Sequence, residues 1–63
     1  MTTPKTCTLD AMVLLLAITE KRRWPVVRAE AVADNASLFA ADRHRDIVTS
    51  ADMLDAIEEE EDR

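Results

Sequence analysis

A chain of 63 residues with a formal net charge of −5 has room for one domain. Its one cysteine, Cys7, and one histidine, His44, exclude an internal disulfide and a four-ligand structural zinc site. A hydrophobic content of 48% with no glycine excludes general disorder and predicts an all-α fold, a single three-helix domain over residues 1–63. Because so small a core is marginally stable, we expect a homodimer or a partner.

The apolar run at residues 11–18 has eight residues, against the roughly 17 that a membrane span requires. The charged stretch 19–23 follows it where a signal peptide would have small residues for cleavage. A lone thiol is typical of a reducing compartment. The sequence therefore predicts a cytoplasmic protein that contacts no membrane.

The first predicted helix begins near Thr8, whose hydroxyl can cap the free backbone N–H groups, and runs to about Arg23. Apolar side chains surround much of it, and one small core cannot cover them all. We expect the core stripe to be Leu9, Met12, Val13 and Leu16. The off-stripe residues, predicted to form a dimer interface, are Leu14, Leu15 and Ile18. The alternative is a central helix flanked by the other two.

The second predicted helix runs from about Pro25 to Arg43, because proline disfavours helical geometry in the preceding residue and suits the first helical position. Small side chains at spacings of three and four predict a face that another helix can approach closely. That face comprises Ala29, Val32, Ala33, Ala36 and Ala40, with Phe39 beside them.

The third predicted helix has the clearest start, with Thr49 as N-cap and Asp52 three residues later as an acidic version of the capping box. Val48 is placed to pack on Met53 as a hydrophobic staple. The predicted buried face continues through Ala56 and Ile57. The helix then enters an acidic tail, residues 58–63, which we expect to fray unless basic groups hold it.

Carboxylates concentrate on the third helix and tail. A row of this kind is usually a solvated face, but it can also imitate a nucleic-acid backbone and occupy the basic groove of a nucleic-acid-binding protein. Small inhibitors from phages and mobile elements, anti-CRISPR-like proteins among them, act as mimics of this sort. The predicted partner-binding residues are Asp52, Asp55, Glu58, Glu59, Glu60 and Glu61.

A basic patch with one aromatic residue could contact phosphates and stack on a base. It comprises Arg22, Arg23, Trp24 and Arg28. The net negative charge opposes direct nucleic-acid binding, so we expect this patch to cap a helix end or to pair with the acidic tail. His44, between Arg43 and Arg45, is predicted to cap the second helix. With Cys7 and His44 far apart, no nucleophile–base pair is predicted, and we expect neither an enzyme nor a cofactor or metal.

Residues 36–57 resemble the C-terminal half of a histone fold, in the motif Arg45, Val48, Asp52, Met53 and Ala56. The resemblance implies that Val48 enters a strand-like loop beside a dimer mate and that Arg45 and Asp52 pair to clamp the loop to the helix. DNA wrapping is not implied, since the basic DNA-contacting residues have no counterpart.

Together these features predict a small acidic regulatory or inhibitory protein that acts by binding another protein. The alternative is a structural subunit, including a histone-fold-like dimerisation module, that completes a larger assembly.

Overall fold

The computed structural model describes residues 4–62 and contains three α-helices in chain order. They are α1 (Leu9–Arg22), α2 (Val26–Asp42) and α3 (Ser50–Glu61). Over the described range no strand forms beyond a single parallel bridge, in which Cys7 pairs with Val48. The predicted all-helical architecture is confirmed, and the predicted helix ends agree within the usual uncertainty of one or two residues.

α3 is the helix that joins the other two. It packs extensively against α2 and against α1, whereas α1 and α2 contact each other only slightly. Small side chains at the centre of each contact let the helix backbones approach closely. The buried core is Ala11, Val32, Ala36, Ala40, Val48, Met53, Ala56 and Ile57, which confirms the predicted inner faces of α2 and α3.

The bridge before α1 ties the N-terminal segment to the loop before α3. The Thr8 amide donates to the Val48 carbonyl at 2.9 Å, and the Val48 amide donates to the Thr6 carbonyl at 2.9 Å. The Thr8 hydroxyl, in turn, accepts from the Ala11 amide at 3.3 Å, as predicted for the N-cap of α1. The starts of α1 and α3 are therefore held side by side.

The orientation of α1 differs from the prediction. Leu14, Leu15 and Ile18, predicted to form a dimer interface, are half-buried and pack against the core. Ala11 is fully buried on this side, and its small side chain lets α3 approach closely. The predicted core stripe of α1 is wrong. Its four residues, Leu9, Met12, Val13 and Leu16, are exposed instead.

α1 and α2 end in the same backbone motif, although the chain has no glycine. At the end of α1, Arg23 has a left-handed φ of 54°, and the Trp24 amide donates to the Thr19 carbonyl at 3.0 Å. At the end of α2, His44 has a φ of 58° and the following amide donates to the Ala40 carbonyl at 2.9 Å. These are Schellman caps, in which His44 takes part through its left-handed backbone, whereas the sequence predicts a cap by its side chain.

We expect His44→Gly to stabilise the fold, because a side chain with a Cβ costs roughly 1–2 kcal/mol in left-handed geometry. The greater freedom of glycine in the unfolded chain offsets part of that gain, which leaves about 0.5–1 kcal/mol. Urea denaturation followed by circular dichroism measures the difference. His44→Ala, which keeps a Cβ, is the control and should show no such gain. Equal stability of the glycine and alanine variants would contradict the prediction.

Candidate functional site

The most distinctive surface is the outer face of α1, defined here as Leu9, Met12, Val13 and Leu16. Spacings of three and four place these side chains on one side of the helix, over about 10 Å of its length. Their exposed fractions are 77%, 49%, 56% and 66%. A contiguous exposed apolar patch on a soluble chain usually marks an interaction site.

Two further apolar side chains are well exposed at the start of α2. Val26 and Val27 follow the connection between α1 and α2, with exposed fractions of 72% and 77%. Leu38, Ile47 and Leu54 are exposed elsewhere on the surface. Single exposed apolar residues need no functional explanation, so the four-residue outer face of α1 is the stronger candidate.

The buried carboxylate of Asp52 is the centre of a polar network at the start of α3. Arg43 and Arg45 each donate to its Oδ1, at 2.6 Å and 2.9 Å. The amide and the hydroxyl of Thr49 donate to its Oδ2, at 3.1 Å and 3.0 Å. The Asp52 side chain is 0% exposed, so a carboxylate without these donors would be strongly destabilising. Arg43 also binds Asp55 and lies over the Phe39 ring.

Opposing effects act on the pKa of Asp52. Burial raises it, while hydrogen bonds from the Thr49 amide, Arg43, the Thr49 hydroxyl and Arg45 lower it. The balance is a pKa below the ordinary value of an aspartate. Asp52 is therefore ionised at neutral pH and serves as an internal anchor, which removes it from the predicted partner-binding row.

The contacts of Asp52 also bear on the motif shared with histone folds. The implied pair of Arg45 and Asp52 is present. Val48 does lie in a strand-like bridge, but with Cys7 of the same chain, whereas the resemblance places that loop beside a dimer mate. Membership of the histone-fold class stays a prediction.

Basic side chains hold the acidic end of α3. Arg28 donates to Glu60 at 2.7 Å, and Arg22 lies 2.5 Å from Glu61. The predicted pairing of the basic patch with the acidic tail is thus present within one chain, and the helix continues to Glu61. With Asp52 and Asp55 also paired, four of the six predicted partner-binding carboxylates bind arginines of the same chain. Glu58 and Glu59 are exposed.

The predicted basic patch is largely occupied by these internal contacts. The Arg28 guanidinium lies 5.1 Å from the centre of the Trp24 ring, and Trp24 itself packs against the core. Arg22 is bound to Glu61, which leaves Arg23 as the exposed arginine of the patch that has no ion pair among residues 4–62. Two of the three arginines of the patch are therefore engaged with acidic residues of the same chain.

Among residues 4–62, no group of three or more His, Cys, Asp or Glu side chains is arranged to hold a metal ion. None of the helices in this range has the length and apolar character needed to cross a membrane.

Comparisons of the chain with protein-family models, with curated proteins and with solved structures find no significant match. The candidate site is therefore defined by the geometry of the chain itself.

The four residues of the outer face of α1 are predicted from the sequence to form a stripe, but to be part of the core. One signal for the correct orientation is available, because Glu20 follows Leu16 by four residues and falls on the same stripe. A charge in line with an apolar stripe indicates the solvent side. Arg43, which bridges Asp52 and Asp55, has no comparable local signal.

We expect Asp52→Asn to lower the free energy of unfolding by about 2 kcal/mol, because it weakens charge-assisted hydrogen bonds from two arginines and the Thr49 amide. Chemical denaturation of the purified protein measures this loss. Glu58→Gln, an exposed substitution on the same helix, is the control and should change stability by no more than about 0.5 kcal/mol. Similar losses for both variants would contradict the anchoring role.

The pH dependence of stability provides a separate test. Because the folded state lowers the pKa of Asp52, this group stabilises the fold above the unfolded value of about 4 and loses that contribution as the pH falls through the folded value. We expect the thermal midpoint of the natural sequence to decrease below about pH 4. Asp52→Asn should flatten that decrease, and an unchanged acid profile would contradict the account.

Proposed function

We propose that this protein acts by binding another protein chain through the outer face of α1. The observation that carries the proposal is the exposure of four large apolar side chains on one side of a helix whose opposite side is already packed on the core. Full burial of one such side chain contributes roughly 1.5–3 kcal/mol. The same face is the surface we assign to the homodimer expected from the sequence.

The charge distribution supports a protein partner over a nucleic acid. The formal net charge is −5, and the arginines of the predicted basic patch are largely engaged with Glu60, Glu61 and Trp24. A chain of this net charge repels phosphate backbones, which makes a nucleic acid the less favoured partner. We therefore propose a regulatory or inhibitory binding protein without catalytic activity.

A second candidate function is mimicry of a nucleic-acid backbone, in which exposed carboxylates occupy the basic groove of a nucleic-acid-binding protein. The observation that favours it is the exposed pair Glu58 and Glu59 on a negatively charged chain. Its support is weaker than that of the outer face, because Asp52, Asp55, Glu60 and Glu61 bind arginines of the same chain.

We expect Leu16→Glu to abolish capture of the partner, since it places a charge in the middle of an apolar contact. The measurement is a nuclease-treated pull-down of the tagged protein from its native host, with the captured proteins identified and quantified by mass spectrometry. Leu54→Glu is the matched control, because Leu54 is 46% exposed but lies on α3. A partner retained by the control and lost by Leu16→Glu supports the proposal. Equal capture by both variants would contradict binding through the outer face of α1.

Mimicry makes a different prediction. The double variant Glu58→Gln/Glu59→Gln should then capture the partner at least tenfold less well, and capture by the natural sequence should weaken steeply as salt rises. The control is Glu30→Gln/Asp34→Asn, which removes two exposed charges from α2. If both double variants capture the partner like the natural sequence, mimicry is excluded.

A further inference from the structure

We propose that the partner of the outer face of α1 is the same face of a second copy of this chain, packed antiparallel. This inference rests on the proposed function, since it names the occupant of the same surface. The order of the side chains along the face and the charges at its two ends support this pair.

The outer face has a palindromic order. It reads leucine, two intervening residues, Met12 and Val13, two intervening residues, then leucine. A two-fold axis between Met12 and Val13 places Leu9 opposite the second copy's Leu16 at both ends of the contact. An isologous pair requires a self-complementary surface, and this order provides one.

The charges at the ends of α1 favour the antiparallel arrangement. Glu20 is exposed and lies one turn beyond Leu16 on the same side of the helix. The two-fold axis brings this carboxylate to the N-terminal end of the second copy's α1. Lys5, also exposed, lies just ahead of that end. A parallel pair would instead align Glu20 with Glu20 and Lys5 with Lys5.

The size of the face sets the strength of the pair. α1 has 14 residues and is therefore about 21 Å long, so a single helix pair buries less than the roughly 1,200 Å² of a standard interface. We expect a weak dimer, populated over protein concentrations of about 1 μM to 1 mM.

Sedimentation equilibrium over that concentration range tests the pair. We expect the natural sequence to pass from monomer to dimer, and Leu16→Glu to weaken dimerisation at least tenfold. Leu54→Glu is the control for an added charge on α3 and should dimerise like the natural sequence. Circular dichroism verifies that each variant is helical. A natural sequence that stays monomeric up to 1 mM overturns the inference, as does dimerisation that is unaffected by Leu16→Glu.

Disulfide trapping tests the orientation. In a Cys7→Ser background, Leu9→Cys and Leu16→Cys are prepared as separate proteins that carry tags of different mass. The antiparallel pair predicts that mixing them under mild oxidation gives mainly the mixed disulfide, because two copies of residue 9 lie about 10 Å apart along the axis. Predominant Leu9→Cys homodimers would indicate a parallel pair and overturn the inference.

Failure of this inference is distinguishable from failure of the proposed function. The chain could be monomeric at 1 mM while the pull-down still yields a different protein that Leu16→Glu does not capture. In that case the outer face does not bind a second copy, but the proposed function stands. If Leu16→Glu changes neither dimerisation nor capture, both are wrong.

Discussion

The fold depends on one buried carboxylate. Asp52 helps to cap the start of α3, because its carboxylate accepts a hydrogen bond from the Thr49 backbone amide. The same carboxylate accepts hydrogen bonds from Arg43 and Arg45, which follow the end of α2. Taking a carboxylate out of water is expensive, so Asp52 is tolerated only where several donors converge. Those donors come from the helix end, the loop and the helix start. The hydrogen bonds therefore fix the angle at which α3 leaves α2.

The position of α3 determines which surface of α1 remains free. α3 packs on both other helices, and its acidic end is held by Arg28 from α2 and Arg22 from α1. These contacts use the side of α1 that carries Ala11, so the opposite side is left largely exposed within residues 4–62. A chain of this size has a small core and leaves much of its apolar surface exposed. The small core therefore accounts both for the marginal stability expected of the chain and for the apolar surface left exposed on α1.

Local chemistry explains what the sequence predicts correctly. Thr8, Pro25 and Thr49 mark helix boundaries because capping and proline geometry act over a few residues. The orientation of α1 is not predicted, because leucines occur on both of its sides and periodicity alone cannot choose between them. The contact of Arg28 with Glu60 spans 32 positions and depends on packing that no local pattern contains.

The most direct test of the central claim is the solvent exposure of individual methyl groups in the dilute protein. NMR with a soluble paramagnetic agent at about 1 μM, the low end of the weak-association range, measures it residue by residue. The account predicts strong broadening of the methyl signals of Leu9, Val13 and Leu16, and protection of those of Met53 and Ile57. Protection of the α1 methyl groups equal to that of Met53 in the monomer would contradict it, because the outer face would then belong to the core.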